Sequence, residues 1–297
     1  MARALIVIRG GRHPAAQVCR TLGVSRSNVV QRRARQTLQE RRGRPPVKDP
    51  QVLEQLRTVA SQRPTYGYRR LWALLNRLRR RQGLRRINAK RVYRLAKGHR
   101  LLLQRYTGTP PVRVHDGVIA VERSDERYCS DGFEIGCANG ERVRVAFSLD
   151  CCDRQAIAFA ATTAGISGEL VRDVMVETMS KRFGEVPGLP SPAEWLSDNG
   201  SGYIARETRG FAQDIGLTPC RTPYRSPQSN GMAESFVKTF KRDYVNINPT
   251  PDALTVLEQL PSWFADYNEV HPHSALRYRS PNEFRDDNLG PKPCPGL

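Results

Sequence analysis

Arg225-Ser-Pro-Gln-Ser-Asn-Gly-Met-Ala-Glu-Ser-Phe-Val-Lys-Thr-Phe-Lys241 joins a turn-like segment, Ser226 to Gly231, to an apolar-periodic run that reads as a helix. That helix carries Glu234, with Lys238 and Lys241 at i+4 and i+7 on the same face. A carboxylate heading a row of cations is also an ordinary solvated face. Two acids upstream change its meaning. Asp198, in Leu196-Ser-Asp-Asn-Gly, precedes Glu234 with 35 residues between them, and Asp131 sits in Cys129-Ser-Asp-Gly-Phe.

Working outward from that helix, the chain alternates strand and helix signals. Alternation over 127–135 marks a strand, and the apolar, β-rich runs 143–152 and 156–163 read as buried strands. An amphipathic helix over 168–183 follows, then a short strand at 194–196, a helix over 205–215 and a strand at 217–221. After the 231–241 helix comes a Pro-rich break at 248–252 and a last helix from Leu254 to Tyr267. This order predicts an α/β fold, a mixed five-stranded sheet flanked by helices. Asp131 then lies on the first strand, Asp198 just past the fourth, and Glu234 on the helix behind the fifth.

Adjacent strand ends with a helix laid across them can gather three distant carboxylates. Like charges so close raise one another's pKa, and a divalent cation resolves the conflict. Mg²⁺ prefers oxygen ligands and works on phosphates, and two such ions serve the two sides of a phosphodiester displacement. Asp131 and Asp198 also stand in turn-forming contexts, Ser-Asp-Gly and Asp-Asn-Gly. Asp150, after an apolar strand, is the main rival ligand, and Glu134 a lesser one. Lys238 and Lys241 are candidates to hold a DNA end beside the metals.

The charge distribution points the same way. The chain has 297 residues and a net charge of +19. Residues 1–115 hold 29 Lys and Arg against three acids, a net of +26, whereas 116–297 carry a net of −7. Most of the excess is arginine, whose fork suits phosphates and guanine edges. The partner expected is double-stranded DNA rather than a membrane, because no apolar run approaches the roughly 20 residues a span requires. An N-terminus without a long apolar core, and seven cysteines with no C-x-x-C pair, suit a cytoplasmic protein in a reducing compartment.

Within the basic part, residues 14–36 read as two short helices broken at Gly23, with Ser25 or Ser27 capping the second. The spacing is that of a helix-turn-helix, with Arg26, Asn28, Gln31 and Arg32 as candidate contacts; a basic hairpin that reads no bases is the alternative. A second basic helical unit follows. Asp49-Pro50 starts one helix, Leu71, Leu74 and Leu75 mark another ending in Arg77 to Arg81, and Asn88 caps a third. Arg69, Arg70, Lys90, Arg91 and Arg94 are its candidate phosphate contacts. The expected organisation is a unit and linker over 1–45, a second unit over 46–105, a linker over 106–116, the sheet domain over 117–286 and a tail over 287–297.

These residues resemble a known family. Asp131, Asp198 and Glu234 with their spacing look like the DDE set of retroviral-integrase-like transposases. Cys129-Ser-Asp-Gly-Phe-Glu, Leu149-Asp-Cys-Cys-Asp-Arg, Leu196-Ser-Asp-Asn-Gly-Ser, the 225–239 stretch and Tyr267-Asn-Glu-Val-His-Pro-His-Ser-Ala-Leu continue the likeness. With Tyr66-Gly-Tyr-Arg-Arg and Asn88-Ala-Lys-Arg-Val-Tyr-Arg-Leu, they are similar to the second-reading-frame transposases of the insertion sequence three family, insertion sequence two branch. The resemblance runs from about Arg20 to Phe284.

It implies an RNase H-like catalytic core, Mg²⁺ with Mn²⁺ as a substitute, and Asp131, Asp198 and Glu234 as catalytic metal ligands. It also implies nicking at an element end followed by transfer of the freed 3′-OH to target DNA. The helical N-terminal region would recognise terminal inverted repeats. The working form would be at least a homodimer on DNA, and a fusion to an upstream reading frame is a possible partner. Tyr128 stands where the family usually has Trp, Arg277 where Gly is common, and Gln228 where Glu is common. A repressor that binds without cutting, and an RNase H-like nuclease that cuts without joining, are the competing readings.

Overall fold

The computed structural model describes residues 15–38, 49–104, 120–184, 192–198, 200–221 and 231–289. The turn expected over 226–230 and the linker expected over 106–116 lie outside them. The chain divides into two compact units, Met1–Pro50 and Gln51–Leu297. In the first, α1 (Ala15–Thr21) and α2 (Arg26–Leu38) are joined at Gly23, whose φ of 62° ends α1 in the left-handed conformation glycine adopts freely. The Ser25 carbonyl accepts from Val29 N at 3.3 Å, which makes Ser25 the residue that opens α2.

From the second residue of α3 (Pro50–Gln62) onward the chain is in the second unit, which continues with α4 (Tyr68–Arg81) and α5 (Ala89–Gly98). Pro50 takes the first helical position, where its missing N–H costs nothing. The Asn88 side chain accepts from Arg91 N at 2.8 Å and caps α5, as expected. Leu56, Leu71, Leu75, Val92 and Ala96 close a small core among these helices.

The sheet comprises β1 (Arg127–Gly136), β2 (Arg142–Asp150), β3 (Ala156–Thr162), β4 (Ala193–Ser197) and β5 (Leu217–Arg221). Its strand order is β3-β2-β1-β4-β5, antiparallel among the first three and parallel from β1 outward to β5. This is the mixed sheet of an RNase H-like core. The helices are α6 (Gly168–Phe183), α7 (Ser201–Ile204), α8 (Arg206–Asp214), α9 (Gly231–Asp243), α10 (Ala253–Glu269) and α11 (Pro281–Leu289). Neither the one-turn α7 nor α11 is legible in the sequence pattern. One sheet face packs Tyr128, Ala146 and Trp195 against α6 and α8. The other packs Cys129, Phe133, Phe147 and Leu149 against Phe236 and Phe240 of α9 and Phe264 and Tyr267 of α10.

Helices α3–α5 join this domain through side chains. Arg63 grips Asp266 with both guanidinium nitrogens, and Arg77 meets Glu283 at 2.6 Å and the carbonyls of Val270 and Tyr278. Tyr66 Oη lies 2.8 Å from His271 Nδ1, and both residues are buried. Burial, then His273, then Arg70, Arg242 and Arg63 hold His271 well below the usual histidine range. The unfolded histidine takes up a proton below about pH 6.5 while the folded one refuses it, so stability is full above that pH and falls below it. The slope from this residue is about 1.4 kcal/mol per pH unit. Urea unfolding of wild type and His271→Gln from pH 7.5 to 4.5 is expected to show the shallower dependence in the variant; equal slopes would contradict the buried neutral state.

Candidate active site

Register alone brings Asp131 and Asp198 side by side. Strands β1 and β4 are parallel with Ser130 opposite Ser197, so the next residue on each is one of the two aspartates. Period-2 alternation gives their faces. Cys129 and Phe133 flank Asp131 on β1 and belong to the α9 side, as does Leu196 two residues before Asp198. Phe236 and Phe240 seat α9 on that face against Phe147 and Phe133. Glu234 rides in the first turn of α9. Three elements far apart in sequence thus deliver their carboxylates to one neighbourhood.

The electrostatics register that meeting. The Asp131 carboxyl is pushed up to about 6, first by burial and then by the fields of Asp198 and Glu234, against a lowering hydrogen bond from Gly132 N–H. Each carboxylate has a local partner. Asp131 Oδ1 accepts from Gly132 N at 2.7 Å, Asp198 Oδ1 from Gly200 N at 3.0 Å, and Glu234 Oε2 lies 3.3 Å from Lys238 Nζ. Gly200 permits its contact, since a Cβ there would stand 3.1 Å from Asp198 Oδ1. As the side chains stand, no group of three His, Cys, Asp or Glu among the described residues encloses a point where an ion could sit. The donor set still fits a hard divalent cation: all oxygen, all anionic, one member already raised by its neighbours.

Tyr203 supports this floor and has no signature in the sequence. It is buried in α7, its hydroxyl accepts from Ser130 Oγ at 3.2 Å, and burial with Asp131 and Asp198 pushes its phenol up. Only the one-turn helix after Asp198 places it there.

The rivals lie elsewhere. Asp150 is fully buried and accepts from the backbone N–H groups of Asp125, Cys152 and Asp153, with Arg182 at 3.4 Å. Glu134 differs from Asp131 in strand parity and pairs with Arg142 and Arg144 across the β1–β2 ladder. The candidate DNA contacts divide. Arg26, Asn28, Gln31 and Arg32 are exposed on α2, and Arg69, Lys90 and Arg94 are exposed on α4 and α5, with Arg91 half-buried. Arg70, expected to meet phosphate, instead reaches the fully buried Asp243 of α9 at 3.0 Å. Lys238 is exposed, whereas Lys241 is half-buried with its ammonium 5.9 Å from the Phe133 ring centre.

Comparison with known proteins agrees with this architecture. Models described as integrase core domains match residues 121–227 and 215–281, and one described as an HTH-like domain matches 48–107. The HTH-like match thus falls on the second helical stretch rather than on 14–36. The HTLV-2 integrase catalytic core in complex with magnesium is 9% identical, with a TM-score of 0.40 over 54% of this chain and 95% of that one. The catalytic domain of Mos1 mariner transposase is 13% identical, with a TM-score of 0.38 over 48% and 70%. The transposase InsD of insertion element IS2A/D/F/H/I/K from Escherichia coli is 51% identical over 300 residues, covering 100% of this chain and 96% of its own. InsD of IS2-9 from E. coli strain K12 shows the same identity over 94% of its length. By that full-length identity, the chain belongs to the InsD-type insertion-element transposases, DNA-acting enzymes with an integrase-type catalytic core.

Proposed function

We propose that Asp131, Asp198 and Glu234 are the catalytic carboxylates of this transposase and hold divalent metal, Mg²⁺ or Mn²⁺, as two ions. When bound, such ions activate an attacking oxygen and stabilise a leaving one. The observation that carries the reading is geometric: the parallel register of β1 and β4 sets Asp131 beside Asp198, on the sheet face where α9 seats Glu234 in its first turn. The reaction is cleavage at an element end, where a water oxygen attacks phosphorus and the 3′-oxygen leaves. The freed 3′-OH then attacks a phosphodiester of target DNA and displaces its 3′-oxygen. The carboxylates set where the reacting phosphate rests, and the rigid seating of α9 fixes Glu234 relative to the strands. Exposed Lys238 lies one turn along and can meet a DNA phosphate once Glu234 is otherwise engaged. Lys241 has less reach.

The N-terminal residues Arg26, Asn28, Gln31 and Arg32, together with Arg69, Lys90, Arg91 and Arg94, hold the terminal inverted repeats in this reading; Arg70 serves the fold. Bringing two ends together requires at least a dimer on DNA, and an upstream-frame fusion supplies further contacts. Among the described residues no helix is long and apolar enough to cross a membrane. The decisive assay incubates a labelled element end with Mg²⁺ or Mn²⁺ and separates joined from merely cut products. Joined product is expected. Cut ends without joining would favour a nuclease, and steep salt-dependent binding with uncut DNA would favour a repressor.

A further inference from the structure

A cavity of about 770 Å³ opens between α4 and the turn and helix that follow α10. Trp72, Arg80 and Arg86 line it from the HTH-like side, and Arg277 and Tyr278 from the core side. The turn bearing Arg277 is held from several directions. His273 N donates to Arg279 O at 3.0 Å and Tyr278 N to His273 O at 2.7 Å, while Arg77 binds the Tyr278 carbonyl. The Tyr278 ring meets Trp72 edge-on, with centroids 5.8 Å apart. Inside that frame both Arg277 and Tyr278 are left-handed, with φ of 56° and 64°. For a non-glycine residue this conformation is unfavourable and persists only where the surroundings impose it.

Tyr278 returns something to the fold through its ring and carbonyl. Arg277 does not. Its side chain is exposed and makes no ion pair, hydrogen bond or ring contact among the described residues. A glycine would make the same turn without strain. Two more cations face the cavity with only weak partners in the fold. Arg86 stacks its guanidinium 5.0 Å from the Trp72 ring centre without an ionic partner among the described residues. Arg80 is 78% exposed and 3.7 Å from Glu283, a carboxylate already held by Arg77 at 2.6 Å. Of the other acids on the rim, Asp287 pairs with Arg279 at 2.6 Å, and Asp286 is the one left over.

We infer that this cleft grips the phosphodiester backbone of DNA, with Arg80, Arg86 and Arg277 on phosphates and the Trp72–Tyr278 wall against the sugar edge. The inference rests on the transposase reading for its ligand. It follows from three arginines that line one cavity beside aromatic rings, none with a carboxylate of its own, and one of them, Arg277, in a left-handed conformation that its side chain does nothing in the fold to offset. The cleft is bounded by the HTH-like domain on one side and the catalytic core on the other, where one duplex would touch both. Element end and target DNA share this chemistry.

The test uses the full chain without metal, so that binding is read apart from catalysis. Wild type, Arg277→Gly and Arg86→Ala are titrated with an element-end duplex and with an unrelated duplex over a salt series, and their melting is followed. Arg277→Gly is expected to melt at the wild-type temperature or up to about 2 °C above it, since strain is removed. Its DNA affinity should nonetheless fall about 3–10-fold, with the log–log salt slope shallower by about 0.9, one phosphate contact. Arg86→Ala, on ordinary backbone, should lose a similar increment. Loss on both duplexes assigns the cleft to DNA backbone in general, and loss on the end duplex alone assigns it to the element end. Unchanged affinity and slope on both duplexes, or a lowered melting point that accounts for weaker binding, would overturn the inference. A wild type that binds but never cuts or joins would sink the catalytic reading and leave the cleft standing.

Discussion

Glu234→Gln is expected to abolish strand cleavage and joining while leaving the fold and end binding intact. The side chain is 36% exposed at the start of α9, and Lys238 is its partner at 3.3 Å. Losing a surface pair of this kind changes stability by no more than about 1 kcal/mol. Activity is another matter. The amide keeps the shape but removes one of three anionic donors, and losing one preorganised charge-stabilising group costs roughly 10²–10³-fold or more in rate. Single-turnover assays on a labelled end, with binding measured in parallel without metal, separate the two effects. A variant that cuts at the wild-type rate would remove Glu234 from the site.

Arg182→Met is expected to be the most destabilising single change, about 3–5 kcal/mol, because it strands buried carboxylates. The Arg182 side chain is 1% exposed and lies 3.1, 3.4 and 3.0 Å from Asp125, Asp150 and Asp153, the last two fully buried. Arg285 lies 3.9 Å from Asp125 and from Asp153, which leaves Asp150 dependent on Arg182 for its cation. Burial and then Asp153 push Asp150 up to about 7, with Arg182 opposing. A carboxyl raised above its unfolded value of about 3.9 makes stability fall as pH rises between those two values. Without Arg182 the rise is larger, so the deficit should be greatest near pH 8 and smallest near pH 4. Urea midpoints at both ends of that range check it; a uniform loss under 1 kcal/mol would contradict the role given to this cluster.

That cluster also shows where sequence reading stops. Asp150 follows an apolar strand as a metal ligand could, yet three backbone N–H groups and a guanidinium from α6 enclose it. The guanidinium is 32 residues away in sequence, and no local pattern announces it. Arg70 misleads for the same reason. In a run of arginines it looks like a phosphate contact, and its partner Asp243 lies 173 residues on. What was legible had a period or a fixed offset. Alternation gave β1, apolar β-rich runs gave β2 and β3, the apolar stripe gave α9, and Asp198 at a strand end beside Asp131 followed from the order of elements. Tyr203 and α11 had neither, being placed by a single turn and by tertiary packing. Arg277 was visible as an unusual residue, but only the backbone angle gives that oddity a physical meaning.

Asp131, Asp198 and Glu234 are proposed to hold divalent metal together. Anomalous diffraction from crystals of the chain with an element-end duplex and Mn²⁺ tests it most directly. The account predicts anomalous peaks coordinated by Asp131, Asp198 and Glu234 at about 2.1 Å, the distance usual for a small hard divalent ion on carboxylate oxygen. Peaks that leave Glu234 uncoordinated, or that sit on a different acid such as Glu134, would contradict it.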